Sequence, residues 1–375
     1  MIYFDNAATT FPKPECVYSY MDYVNRNMSF NAGRGEYKES NEAYKLIDDA
    51  RNKVGRIVGK SGKAVVFSSS ATEALNQIVY GLSLSHSDSV FVSPFEHNAV
   101  VRPLYNLVRE KGIEVKQIPF DTVYWNLKKE EFENELTVYK PKAVFVSQIS
   151  NVTGYEIPYE EIFGIAKGHK AITILDASQG FGVKDIRESE NIDYIIFAGH
   201  KSLYGQFGVG GFVALRDGAL SIVKAGGTGS DSLNTSMPFD LPYKFEAGSY
   251  NVVAISSLCA SIDWLKNKKI YEEEKALTEY LISRLSEMDN IHMYIPKNGN
   301  IFGIVSITVD DYSPTDIGNI LYDEYGIAVR TGFHCAPFIH KFLGTVNLGG
   351  TVRISLGAFN NKDDVDILMN ALKSL

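Results

Sequence analysis

The chain has 375 residues, 45% of them apolar, enough for a large and a smaller domain with a sizeable core. Its 37 basic and 45 acidic residues give a net charge of −8 with no concentrated basic patch, which argues against a nucleic-acid or acidic-membrane surface. The opening MIYFDNAATT has no basic region leading into an apolar core, and no apolar run reaches the roughly eighteen residues of a membrane span, so neither a secretory signal nor a span is expected. The three cysteines, Cys16, Cys259 and Cys335, are too widely spaced for a disulfide framework, and a reducing cytoplasm is the natural setting.

Residues 1–14 read as a short apolar start, a turn through Asp5-Asn6-Ala7-Ala8-Thr9-Thr10 and a Phe-Pro-Lys-Pro breaker. A helix follows over about 15–27, with Cys16 at its start as a small apolar filler. After a glycine-containing loop with Asn31 and Arg34, the spacing of Ala43, Leu46, Ile47, Ala50 and Val54 predicts a helix over 41–58. A buried strand at 64–67 runs through Ser68-Ser69-Ser70-Ala71-Thr72-Glu73 into a helical run over 74–84. Ser70 and Glu73 have capping-box spacing. Such a strand–turn–helix junction exposes free backbone N–H groups at the positive end of a helix dipole, which makes an anion site. An ordinary N-cap explains Ser70 but not four hydroxyl residues together.

The alternation continues. A strand over 89–93 ends at Pro94-Phe95-Glu96-His97-Asn98, followed by a helix at 100–111, a strand at 114–118 and a helix at 127–136. A strand over 143–148 runs into Ser150-Asn151-Val152-Thr153-Gly154, a turn by composition, then a helix spans 157–168 and a strand at 171–175 ends at Asp176-Ala177-Ser178-Gln179. The next buried strand, 193–197, is followed by Gly199-His200-Lys201, a run of glycines and one more strand over 210–215. A loop-rich stretch over 217–251 contains Phe245-Glu246-Ala247-Gly248-Ser249-Tyr250-Asn251. Beyond it come helices at 252–265, with Cys259 packed in a core, and at 271–289. A strand at 304–309, a helix at 315–325, a strand at 327–330, the loop 331–337, a strand at 350–355 and a helix at 362–375 complete the chain.

This pattern predicts an α/β fold. A large domain over 15–253 holds a mostly parallel seven-stranded sheet, and residues 1–14 and 254–375 form a smaller α+β domain. In such sheets ligands bind off the carboxyl ends of the strands, where Thr72, His97, Asn151, Asp176, Gln179, His200 and Lys201 all fall. Lys201 follows a buried strand, and burial favours a neutral amine able to form a Schiff base with pyridoxal phosphate. Alone, Gly199-His200-Lys201 fits better a solvated lysine at the head of a glycine-rich loop; the five converging strand ends reverse that preference. Asp176 suits a pyridine nitrogen that must stay protonated, Ala71 and Thr72 with His200 suit a phosphate, His97 is a flat group for the ring, and Asn151 and Gln179 are donors for the ring oxygen. Taken singly, each is equally a core histidine, a capping aspartate or a turn asparagine. Cys335 stands in a glycine-bearing, exposed loop beside His334 with Arg330 nearby, surroundings that favour a thiolate; it is otherwise an incidental surface thiol. A metal pair through His334 or His340 is disfavoured, because no second cysteine has ligand spacing.

These motifs resemble a known family. Tyr3-Phe4-Asp5-Asn6-Ala7-Ala8-Thr9, Ala71-Thr72-Glu73-Ala74, Glu96-His97, Ser150-Asn151-Val152-Thr153-Gly154, Asp176-Ala177-Ser178-Gln179, Gly199-His200-Lys201, Phe245-Glu246-Ala247-Gly248 and Arg330-Thr331-Gly332-Phe333-His334-Cys335-Ala336 run nearly end to end. As a set they are similar to class V pyridoxal-phosphate enzymes, the cysteine desulfurase and selenocysteine lyase group. The resemblance implies the type I fold of pyridoxal-phosphate transferases and a homodimer in which Ser249 reaches the partner subunit's phosphate. It implies that Lys201 carries the cofactor and moves the proton, that Asp176 holds the pyridine nitrogen, and that His97 stacks on the ring. It further implies that Gln179 and Asn151 address the ring oxygen, that Ala71, Thr72 and His200 bind phosphate, and that Arg353 holds the substrate carboxylate, with Arg330 beside it. Cys335 would accept sulfur from L-cysteine as a persulfide, leaving L-alanine, and a sulfur-acceptor protein would follow. Three positions depart from the family pattern: Ala198 stands where a Ser or Thr is usual, Gln206 where a Pro is, and Phe333 where a His is common. The rival expectations are a class V aminotransferase or a C–S or C–Se lyase acting on another amino acid, which would not need Cys335, and a non-enzymatic relative, which would not need both Lys201 and Asp176.

Overall fold

Short runs of valine, isoleucine and phenylalanine, most of them followed by a helix, build a seven-stranded sheet covered on both faces in the computed structural model. It describes residues 1–33, 35–186, 190–216, 218–229, 233–266 and 268–375; Arg34, and Asp217 at the head of the predicted loop 217–251, lie outside the described residues. A two-residue strand β1 (Ile2–Tyr3) precedes helices α1 (Glu15–Asn27) and α2 (Lys38–Ile57). Then come β2 (Val65–Ser68), α3 (Ala71–Gly81), β3 (Ser89–Val92), α4 (Asn98–Lys111), β4 (Glu114–Gln117), α5 (Lys129–Tyr139), β5 (Ala143–Ser147), α6 (Tyr159–Gly168), β6 (Ile172–Asp176), β7 (Tyr194–Ala198) and β8 (Gly210–Ala214). The strand order is β2-β8-β7-β6-β5-β3-β4, parallel except for β8, which is antiparallel to both neighbours.

Successive strand residues face opposite sides, and the core divides accordingly. Phe67, Val144, Val146, Leu175, Ile195 and Phe197 pack on one face, Val66, Val92, Phe145, Ile174, Ile196 and Phe212 on the other. A sheet buried on both sides has no polar alternation, which is why these strands read as unbroken apolar runs. Residues 199–209 form an excursion between β7 and β8, closed at its neck by Gly199 N donating to Val209 O at 3.0 Å. Lys201 sits on that excursion.

The remaining elements are α7 (Val252–Leu265), α8 (Ile270–Leu285), β9 (Ile291–Met293), β10 (Ile304–Val309), α9 (Pro314–Tyr325), β11 (Ile327–Ala328), β12 (Arg330–Gly332), α10 (Pro337–Phe342), β13 (Thr351–Ser355) and α11 (Lys362–Lys373). β12, β13, β10 and β9 form an antiparallel sheet in that order, while α7 packs against α1 and α2. The single strand predicted over 327–330 is two: β11 pairs with β1, and the chain then changes partner so that β12 pairs with β13. Neither β9 nor α10 was evident from the sequence, being too short to show a period. Cys259 is buried as expected, whereas Cys16, expected as an apolar filler, is exposed. Among the described residues no helix is long and apolar enough to cross a membrane.

One buried contact ties α8 to the β7–β8 excursion. Tyr204 Oη donates to Glu274 Oε1 at 2.8 Å and accepts from Ala358 N at 2.7 Å. Burial pushes the Glu274 carboxyl up to about 8. The native state therefore keeps a proton at neutral pH that the unfolded chain releases. Stability should fall as pH rises from the ordinary carboxyl range towards about 8, by up to about 1.4 kcal/mol per pH unit, and level off above. Glu274→Gln keeps an acceptor for Tyr204 without the titration. Its melting temperature is expected to fall less than that of the wild type between about pH 6 and pH 8, as thermal scans across that range would show.

Candidate active site

The carboxyl ends of β2, β3, β5, β6 and β7 open into one cavity of about 210 Å³, lined by Ala71, Thr72, His97, Asn151, Asp176, Gln179, His200, Lys201, Arg330 and Arg353 among others. Its floor begins at α3, which starts at Ala71, earlier than the predicted 74, because Ser70 caps it: Ser70 Oγ accepts from Glu73 N at 3.1 Å. The capping box is only half made, since Glu73 Oε2 instead accepts from Ser69 N at 2.8 Å. The N–H groups of Ala71 and Thr72 find no acceptor among the described residues. On β8, a Cβ at Gly210 would stand 2.6 Å from Ala71 N, so only glycine lets the strand run this close under the helix start. Ala198, where the family pattern has a hydroxyl, also lines this end of the cavity.

Lys201 is partly buried, and its amine has no hydrogen-bond partner among the described residues. Burial pushes its ammonium down to about 8; Asp176 and Cys335 oppose the shift, and the Arg353 and Arg330 charges add to it. Asp176 ends β6, and its Oδ1 accepts from Ser178 N at 3.0 Å and from Ser178 Oγ, leaving the second carboxylate oxygen without a bond among the described residues. His97 caps α4, with Nδ1 accepting from Ala99 N at 3.0 Å, so the proton of the neutral ring is on Nε2. Burial, reinforced by Lys201, Arg330 and Arg353, holds His97 down to about 3, so it is neutral at working pH. His200 stacks on Phe207 with ring centroids 4.5 Å apart, and its buried Nδ1 has no partner among the described residues. Burial and the Lys201 charge hold it down to about 3 as well.

The opposite wall carries the guanidinium groups. Arg353, on β13, is 1% exposed; Nη2 donates to Asp5 Oδ1 at 2.6 Å, Nη1 donates to Asn151 O at 2.9 Å, and Nε has no partner among the described residues. Asn151 Nδ2 in turn donates to His334 O at 2.8 Å, and Gln179 Nε2 to Ala7 O at 3.0 Å. Arg330 Nη2 donates to Cys335 Sγ at 3.2 Å. The cysteine loop is exposed, as expected, only at Phe333; His334 is buried and Cys335 half-buried. It is held by His334 Nε2 on Thr351 Oγ1 at 2.9 Å and by Asn98 N donating to Cys335 O at 2.7 Å. His334 and Cys335 are both left-handed, with φ of 47° and 58°, a strained pair that such clamps can sustain. Ser249 does not join this cavity. It lies across the first turn of α3, in a groove with Ser69, Glu73 and Lys224. Sequence reasoning did not single out Asp5, Ser178 or the Ala7–Ala8 wall. For the two N-terminal contributions the only signal was the motif itself, which alone reads as a turn.

An anion cradle, a carboxylate with a free oxygen, a buried imidazole nitrogen without a partner and a lysine biased towards its neutral form fit pyridoxal 5′-phosphate, whose phosphate, ring nitrogen and aldehyde need these groups. The type I α/β fold with this crevice defines the broad class, enzymes that depend on pyridoxal phosphate. Within that class the chain belongs to the family Aminotransferase class-V, whose family model matches residues 2–368. It is 32% identical to a probable cysteine desulfurase of Methanothermobacter thermautotrophicus, covering 100% of this chain and 94% of that one. It is also 30% identical to a cysteine desulfurase of Haloferax volcanii, covering 99% and 88%. The apo structure of a cysteine desulfurase from Thermococcus onnurineus superposes with a TM-score of 0.91 at 29% identity, over 100% of this chain and 95% of that one.

Proposed function

We propose that the protein is a cysteine desulfurase that converts L-cysteine to L-alanine and keeps the sulfur on Cys335 as a persulfide. The observation that carries this reading is the Cys335 sulfur, bonded at 3.2 Å by an arginine that also lines the Lys201 cavity. A transaminase has no use for such a thiol. Bound pyridoxal phosphate supplies an electron sink that loosens bonds at the α and β carbons of an amino acid.

In this reading Lys201 holds the cofactor and, once released, carries a proton to and from the substrate. The free oxygen of Asp176 keeps the pyridine nitrogen protonated. The Ala71 and Thr72 N–H groups with His200 Nδ1 take the phosphate. Asn151 and Gln179 address the ring oxygen, and neutral His97 lies against the ring with its Nε2 proton available. Arg353, steered by Asp5 and the Asn151 carbonyl, receives the substrate carboxylate with Arg330 beside it. The Cys335 sulfur bonds to the substrate sulfur as the carbon–sulfur bond breaks. The electron pair stays with the substrate carbon, which takes up a proton, so that L-cysteine and one thiol become L-alanine and one persulfide.

The same reading makes the protein a cytoplasmic homodimer, with Ser249 of each chain directed at the partner subunit's phosphate, and hands the persulfide sulfur to an acceptor protein. It divides the chain into a cofactor domain over 15–253 and a smaller domain formed by 1–14 and 254–375. The test is L-cysteine turnover by the reconstituted enzyme under reductant. Alanine and sulfide in equal amounts are expected. A protein that binds the cofactor and leaves cysteine untouched while acting on another amino acid would overturn the reading.

A further inference from the structure

The backbone carbonyl just before Lys201 is held with a surplus of donors. His200 O lies 2.7 Å from Lys13 Nζ, 3.0 Å from Thr9 Oγ1, 3.1 Å from Thr10 N and 3.3 Å from Thr10 Oγ1. Thr10 Oγ1 also lies 3.2 Å from the Lys201 carbonyl, and its single proton serves one of the two. A carbonyl oxygen offers two lone-pair sites, so the three donors beside that hydroxyl already exceed its usual complement. All four come from the N-terminal arm, whose Ala7 and Ala8 line the cavity and whose Asp5 steers Arg353.

Lys13 stands out among them. It is 6% exposed and makes no ion pair among the described residues. Among the described residues its Nζ has only oxygen acceptors without charge: His200 O, Thr10 Oγ1 at 2.7 Å and Thr9 Oγ1 at 3.5 Å. A buried ammonium without a counter-charge is costly, and burial alone drives this one down to about 7. If the arm needed only an anchor, a neutral donor would serve at lower cost. In its protonated form the amine makes a shorter and stronger bond to that carbonyl than a neutral donor would.

We propose that Lys13 is a positioning residue for Lys201: by holding the His200 carbonyl it fixes the turn from which the Lys201 amine reaches the cofactor. The proposal rests on Lys201 as the cofactor lysine and not on the sulfur chemistry. Asp176, Arg353 and Arg330 are charged groups that act on the Lys201 amine, and none of them is bonded to Lys13 among the described residues; the Lys13 charge acts on the His200 ring.

The experiment reconstitutes apoprotein with pyridoxal phosphate and compares wild type, Lys13→Met, Lys13→Arg and Thr10→Val. It reads cofactor affinity, visible circular dichroism per bound cofactor, the melting temperature, and the residue labelled after borohydride reduction. Lys13→Met is expected to lose about tenfold or more in affinity and most of the visible dichroism, which reports how the ring is held, with the far-ultraviolet spectrum unchanged. Thr10→Val should move both readouts the same way by less, and Lys13→Arg should bring them back towards wild type. Wild-type affinity and dichroism in Lys13→Met would overturn the proposal. So would losses that only track a lower melting temperature and are no smaller in Lys13→Arg. Label on a lysine other than Lys201 in the wild type would overturn the reading of Lys201 itself, a failure distinct from that of Lys13.

Discussion

Lys201→Ala should be colourless after reconstitution and lose more than about a thousandfold in turnover of any amino acid, while keeping its melting temperature. The residue has two tasks, and alanine can perform neither: it must present a neutral amine, and it must carry a proton once released. Its setting favours the first task, because burial and two nearby guanidinium groups push its ammonium down to about 8. A solvated lysine has no such bias. The second buried lysine, Lys13, is pushed further, down to about 7, but its amine is fully engaged by oxygen acceptors behind the turn and does not line the cavity. Absorbance spectra and borohydride labelling of Lys201→Ala separate the two. No visible band and no reduced adduct is the expected outcome, and an adduct on Lys13 would mean that the cavity has been read from the wrong lysine.

Cys335→Ser should retain the visible band of the cofactor and lose alanine formation from L-cysteine by about a hundredfold or more. It changes one atom in a loop whose carbonyls are held by Asn98 N and Asn151 Nδ2, so the fold around it is expected to persist. The distinction from Lys201→Ala is diagnostic: one variant loses the cofactor's signature, the other keeps it and loses the sulfur acceptor. Mass spectrometry of the wild type after a brief exposure to L-cysteine should find the mass of one added sulfur on the peptide that contains Cys335, and none in the serine variant. A serine variant that forms alanine at the wild-type rate would exclude Cys335 as acceptor and favour a class V enzyme of other chemistry. Arg330 offers a graded version of the same test, since it contacts both the cavity and the sulfur.

Most of the sheet was legible in the sequence because its strands are buried on both faces, and burial leaves a local mark: an apolar run bounded by turn residues. For the same reason the polar residues at the strand ends were found, since Thr72, His97, Asn151, Asp176 and Lys201 each interrupt such a run at its carboxyl end. The direction of β8, antiparallel to both neighbours, came only with the structure. What sequence left open depends on contacts between distant segments. Nothing local to residues 5–13 says that Asp5 meets Arg353, or that Lys13 reaches the carbonyl beside Lys201, because each pairing forms only when the N-terminal arm packs across strands that follow it by almost two hundred residues or more. The split of 327–330 into two strands and the burial of His334 have the same origin. Local pattern records how much of a residue is hidden from water; it does not record by what: Arg330 is close enough in sequence to Cys335 to be read as its neighbour, whereas the partners of Lys201 and Arg353 are chosen by the tertiary structure alone.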